Sequence, residues 1–288
     1  MNKASLLLIL LASVFLPGCK GKNGSRNISV MTFNIHYDDP HDNINAWPAR
    51  VGIVCELLKV EKPDLFGLQE ALWYQYEAID SALAGYSSVA VGPDDGRLKG
   101  EMNPLFYSTY RFDYVRDSTF WLSETPDRPG SKSWGAPFPG IVTWVELTDK
   151  KTHKPVFCFN TRFSGDSENA RIMSAGLLLN VIKRIAGKNR FVVIGDFNTT
   201  PESKAYSILT RSSSSRVLLK DSYNISEKKP GGPVNTFNGW SDEPGRNRID
   251  YIFVRRGIKV LNDSTFIKKA GSVFISDHWP VKAVISLK

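Results

Sequence analysis

Side chains able to hold ions or move protons recur at one kind of place in this 288-residue chain, just beyond a short apolar run. Asn34 follows ISVMTF, Glu70 follows LFGLQ, Asn160 and Arg162 follow VFCF, and Asp196 and Asn198 close VVIGDFN. Asp250 sits inside the otherwise apolar IDYIFV, and Asp277 and His278 stand in ISDHWP ahead of the last apolar run. Each position alone reads as a turn former, a cap or a solvated charge, since Asp and Asn hydrogen-bond their own backbone. Six runs that end alike need a shared reason. Open sheets bind ligands beyond the carboxyl ends of their strands. The carboxylates of Glu70, Asp196, Asp250 and Asp277, the amides of Asn34 and Asn198 and the imidazole of His278 are therefore expected in one cleft. Crowded carboxylates repel one another and resist desolvation, and a hard divalent cation relieves both. The chemistry to expect is metal-assisted.

The elements that must carry these residues are legible as apolar runs. Strands are expected at 28–33, 65–68, 105–107, 112–121, 141–147, 156–159, 191–194, 249–254 and 281–285, all rich in Val, Ile, Phe, Tyr and Trp. Three- and four-residue apolar spacing predicts helices over 49–60 and 168–186. The middle strands lack intervening helices and are expected to pair antiparallel. Together the elements predict an α/β fold with two mixed sheets packed face to face and helices outside.

Composition narrows the class. Apolar residues make up 42% of the chain, and net charge is +8, with the basic residues scattered along it. That suits an anionic substrate and argues against a dedicated nucleic-acid arm. The opening residues carry an apolar run over 6–16, too short for the roughly 20 residues of a membrane-spanning helix. Leu16-Pro17-Gly18-Cys19 resembles a bacterial lipobox. Residues 1–18 are read as a lipoprotein signal peptide, Cys19 as the acylated residue, 19–27 as a tether, and 28–288 as one domain. The protein is then expected to be exported and lipid-anchored, facing the periplasm from the outer membrane of a Gram-negative bacterium. No protein partner is predicted. Cys55 and Cys158, the other two of three cysteines, read as small core residues and not as a disulfide or thiolate site.

MTFNIHYD, FGLQEALWYQ, VVIGDFNTTP, NRIDYIF and ISDHWPV, in that order, resemble the endonuclease/exonuclease/phosphatase superfamily, the DNase I-like group, over almost all of residues 28–288. The resemblance implies a four-layer α/β sandwich and Mg²⁺-dependent phosphoester hydrolysis, with Mn²⁺ as a substitute ion. It implies Glu70 as the direct metal ligand, with Asn34 and Asp277 close by. Asp196 would orient or deprotonate the attacking water, and Asn198 would hydrogen-bond the phosphoryl group. His278 would donate to a phosphoryl oxygen, its ring held by Asp250. Asn160, Arg162 and Glu101 fall on the substrate side. There the chain departs from the pattern: Arg162 stands where the group usually has His, and Pro93 and Gly140 where the bacterial branch that NAWPARV, GPDDGRLKGE and FWLSETPDRPGS resemble often has Arg. Arg162 can pair with Glu101 and neutralise phosphate charge, but it cannot shuttle a proton.

Substrates compatible with export are scavenged nucleic acid, phospholipid headgroups and small phosphoesters, with a phosphodiester favoured on resemblance. The substitutions at 93, 140 and 162 also predict reduced or altered activity. They leave a second reading, a catalytically weakened module that binds a phosphorylated ligand. A carbohydrate-handling reading, suggested by seven Trp residues, is weak because Trp47, Trp121 and Trp144 fall in core patterns.

Overall fold

The computed structural model describes residues 26–211, 219–243, 245 and 247–287. The proposed leader, Cys19 and most of the tether lie outside the described residues. In chain order the strands are β1 (Asn27–Asn34), β2 (Leu65–Gln69), β3 (Tyr86–Val89), β4 (Leu105–Ser108), β5 (Phe112–Trp121), β6 (Ile141–Asp149) and β7 (Lys154–Arg162). They continue with β8 (Arg190–Asp196), β9 (Leu219–Asp221), β10 (Asp250–Arg255), β11 (Lys259–Thr265), β12 (Lys269–Ala270), β13 (Val273–Phe274) and β14 (Val281–Ser286). The helices are α1 (Trp47–Glu61), α2 (Trp73–Ala82), α3 (Glu168–Ile185), α4 (Lys204–Arg211) and the short α5 (Ser222–Ile225).

Two six-stranded sheets carry the fold, in the orders β11-β14-β1-β2-β4-β3 and β5-β6-β7-β8-β10-β9. Both are mixed: β1–β2 and β7–β8 are parallel and the other ladders antiparallel. Strand alternation divides the apolar residues between three cores. Ile28 and Val30, Cys158, Val192 and Ile194, and Ile252 and Val254 fill the gap between the sheets. Their neighbours Met31 and Phe33 pack on the outer side with Val54, Cys55 and Leu58 of α1. Phe157, Phe159, Phe191 and Val193 pack with Leu178, Leu179 and Ile182 of α3 and Leu209 of α4. Three cores between helix, sheet, sheet and helix make four layers, as expected. The two described cysteines, Cys55 and Cys158, are buried and free.

The nine expected strands are all present, and both helices form within two residues of their expected ends. Ser167 caps α3 by accepting from the Ala170 amide, and Lys183 and Arg184 face the negative end of its dipole. Apolar patterning does not reveal β3, β9 and β11, which are short or studded with polar residues. Nor does it reveal α2, whose polar and aromatic residues obscure the helical stripe.

Candidate active site

The register of the sheets brings the site together. Arg162 lies beside Asp196 in the parallel pair β7–β8, and Asp196 lies opposite Asp250 in the antiparallel pair β8–β10. On the facing sheet Asn34 lies beside Gln69, with Glu70 next in the chain. Continuing the period of two from the apolar inter-sheet residues turns Asn34, Arg162, Asp196 and Asp250 into the same gap. The site is thus the polar end of the inter-sheet core.

At its centre the Asn34 amide nitrogen lies 2.7 Å from Glu70 Oε1, 3.1 Å from Asp196 Oδ2 and 3.4 Å from His278 Nε2. Glu70, Asp196 and His278 each bring a ligand atom within 4.8 Å of the others. His278 Nδ1 is 2.8 Å from Asp250 Oδ2, which fixes the ring with Nε2 toward the cleft. Asp277 joins through His36, whose Nδ1 is 3.3 Å from Asp277 Oδ2 and 3.5 Å from Glu70 Oε2. Asn198 is tied in by its amide, which donates to Asp196 Oδ2 at 3.1 Å and to the Phe163 carbonyl at 2.9 Å. Its main-chain NH donates to Asp196 Oδ1 at 2.9 Å. His36, Glu70 and Asn198 all take positive φ, at 57°, 59° and 46°. Non-glycine residues rarely adopt that conformation, and it collects at functional sites.

Arg162 reaches across the site. Its Nη2 is 2.8 Å from Glu70 Oε1, its Nη1 is 2.9 Å from Glu101 Oε2, and its Nε is 3.7 Å from Asp196 Oδ2. Burial opposes charge on Glu70, but the Arg162 guanidinium and the His36 hydrogen bond outweigh it and hold this carboxyl well below the usual range. Asp196 goes the other way: burial, reinforced by the Asp250 charge, pushes it up to about 7. His278 and His36 are both raised to about 10. Burial lowers each, but Asp250 and Asp277 overcome it at His278, and Asp277 and Glu70 do so at His36.

Beside Arg162 a cavity of about 530 Å³ opens between the β6–β7 edge and the loops around 93–101 and 136–140. Among the described residues Arg162 is its one cationic lining residue, against the acids Asp94, Glu101 and Asp166.

The model of the Endonuclease/Exonuclease/phosphatase family matches residues 31–278. The chain belongs to that family. An endonuclease/exonuclease/phosphatase from Bacteroides vulgatus is 34% identical with a TM-score of 0.85, covering 91% of this chain and 99% of its own. A mannosyl-6-phosphatase from Bacteroides thetaiotaomicron is 31% identical with a TM-score of 0.81, covering 90% and 99%. Danio rerio TDP2, solved with a single-stranded DNA product, has a TM-score of 0.71 at 14% identity, covering 90% and 98%, and is similar in fold alone. No curated protein sequence matches this one.

The family carries phosphoester hydrolysis, and the donor set here suits it. Three carboxylates, Glu70, Asp196 and Asp277, and one amide within a single cleft are ligands that a hard divalent ion accepts. Pro93, Gly140 and Arg162, the three departures, all line the one cavity, and Arg162 does pair with Glu101. Asn160 is engaged between the sheets. Both hydrogens of its amide go to carbonyls across the sheet gap, Leu68 O and Pro104 O at 2.8 Å each, and its Oδ1 accepts from Gln69 Nε2 at 2.6 Å. Buried, with both amide hydrogens taken, it ties the sheets together.

Two residues of the site carry little signal in the sequence. His36 stands two positions past Asn34 in MTFNIHYD, beyond the strand end instead of at it, so the repeated pattern of polar strand ends does not include it. Arg50 has no polar neighbour in sequence to betray it. It is fully buried on α1, donates to the carbonyls of Ile35, His36, Tyr37, Asn45 and Ile275, and lies over the rings of Trp47 and Trp240. It clamps together the loops that carry His36 and Asp277.

Proposed function

We propose that the chain is a Mg²⁺-dependent phosphoester hydrolase, with Mn²⁺ able to substitute, exported and held at a membrane by a lipid on Cys19. The observation that carries the hydrolase reading is the meeting of Glu70, Asp196 and His278 around the Asn34 amide. Glu70 and Asp277, with Asn34, would hold the ion; when bound it supplies neutralisation of charge on phosphoryl oxygens. Asp196, its affinity for a proton raised by burial and by Asp250, accepts a proton from the attacking water at its Oδ2. His278 donates from Nε2 to a phosphoryl oxygen, and Asp250 keeps that tautomer and supports the positive ring. Asn198 holds Asp196 in place through its side-chain amide and its main-chain NH.

The cavity next to Arg162 would take the leaving group. With three carboxylates to one cation, it suits an uncharged, hydroxyl-bearing alcohol better than a nucleic-acid strand, whose successive phosphates would meet Asp94 and Asp166. That moves the substrate from the phosphodiester favoured by resemblance toward a phosphomonoester, in keeping with the relative named a mannosyl-6-phosphatase.

One observation favours the second reading, a weakened phospholigand-binding module: Arg162 already occupies Glu70 Oε1, the oxygen an ion would need. One assay separates the two. Hydrolysis of mannose 6-phosphate and of bis-p-nitrophenyl phosphate is measured with and without Mg²⁺, for the unaltered chain, Glu70→Gln and His278→Ala. Turnover that needs Mg²⁺ and falls by about 10²-fold or more in both variants supports the enzyme. Tight phosphate-ester binding without turnover supports the module.

A further inference from the structure

A second charged feature lies at the other end of the sandwich. A cavity of about 310 Å³ is lined by Lys154, Lys188, Arg190, Arg255 and Arg256, with Pro155, Asn189, Gly257 and Ile258. Five of its nine lining residues are cations and none is acidic, in a chain with 29 Asp and Glu. Lys154, Lys188 and Arg256 are exposed. The strand register explains the cluster. Lys154 opens β7, Arg190 opens β8 opposite Val156, and Arg255 closes the antiparallel β10. The cations therefore stand at the strand ends opposite to Arg162, Asp196 and Asp250. From Arg190 to Asp196 the strand runs about 20 Å at ~3.3 Å per residue.

The first described strand starts at this same end. Lys259, next to the lining residue Ile258, pairs with Ser286, and Ser286 pairs with Asn27 at the start of β1. β1 then runs away from the basic end to deliver Asn34 at the active site. The residues ahead of β1 add Lys20, Lys22 and Arg26, and the seven residues 20–26 reach at most about 25 Å when extended.

We propose that this basic end is a docking surface for anionic phospholipid headgroups, which seats the domain on the membrane with its active site facing away. The exposed cations Lys154, Lys188 and Arg256 around one concavity present a field that an anionic surface satisfies collectively. The position of β1 makes this the face that a tether from Cys19 brings nearest to the bilayer. The proposal rests on the proposed lipid anchor at Cys19 and is independent of the hydrolase reading.

The test places the full chain in nanodiscs of phosphatidylcholine, neutral, or of phosphatidylglycerol, anionic, and follows amide hydrogen exchange in the turns at 187–189 and 255–257. The expected result is protection of both turns in anionic discs only, lost at high salt. Protection should fall about fivefold for each cation removed among Lys154→Gln, Lys188→Gln and Arg256→Gln. The Tm and far-ultraviolet circular dichroism of the triple variant should match those of the unaltered chain, so loss of docking and loss of the fold are told apart. Equal exchange in the two kinds of disc overturns the proposal, as does protection of the turns at 137–140 and 164–166 instead. Protection by soluble inorganic polyphosphate but not by anionic discs overturns it too, and makes the cluster a site for a dissolved polyanion.

Discussion

Arg162 sets the balance of charge at the site, because one guanidinium touches Glu70, Glu101 and Asp196. Replacing it with His removes the cation from Glu70 and restores a group that can transfer a proton. Arg162→His is expected to raise Mg²⁺-dependent turnover by about 10²-fold, measured as kcat on the better of the two phosphate esters. An unchanged or lower kcat would show that the guanidinium itself supports catalysis. The residues that meet in the cleft are largely legible from the chain alone, because strand alternation and the repeated polar strand ends are local properties of the sequence. The same local view leaves out the bonds that Asn160 makes. Its strand end looks like the others, and only the facing sheet brings the Leu68 and Pro104 carbonyls within reach. Asn160→Ala should therefore lower stability by about 2–4 kcal/mol in denaturant unfolding, with KM unchanged. A raised KM at unaltered stability would place Asn160 on the substrate side.

Among the elements, α1 does more than cover a sheet. Its Arg50 gathers five backbone carbonyls from three segments, so the helix fixes the loops that follow β1 and precede β14. Lysine keeps the charge but cannot fork to five acceptors. Arg50→Lys is expected to cost about 3 kcal/mol or more in unfolding free energy and to weaken Mg²⁺ affinity, read by calorimetric titration. Mg²⁺ affinity equal to that of the unaltered chain would confine Arg50 to a purely structural part. The clamp is invisible in sequence because its acceptors are backbone atoms, which no residue type announces. β11 is hidden for a related reason, since its burial depends on a neighbour, β14, that arrives only at the end of the chain.

For the whole molecule, one buried carboxyl outside the cluster around Asn34 makes stability depend on pH. Asp263 on β11 is buried, accepts from Ser222 Oγ, and burial pushes it up to about 6. A folded-state value above the unfolded one means the folded chain binds the proton more tightly. The ionised group thus penalises the fold above about pH 6, and the penalty fades as pH falls toward 4. With about 1.4 kcal/mol for each tenfold, that penalty is on the order of 3 kcal/mol at pH 8. Asp263→Asn should raise Tm relative to the unaltered chain at pH 8, with the gap closing near pH 4. A gap that is constant across that range would remove ionisation as its cause.

Asn34 and Glu70 stand on one sheet, and Arg162, Asp196 and Asp250 on the other. Gly67 leaves room for the Asn160 amide between them, where a methyl group would come within 2.4 Å of it. Slippage of one sheet over the other by a single residue would carry half of the reacting groups about 3 Å out of reach while leaving every ladder intact. Warming should then silence the enzyme before circular dichroism registers any melting.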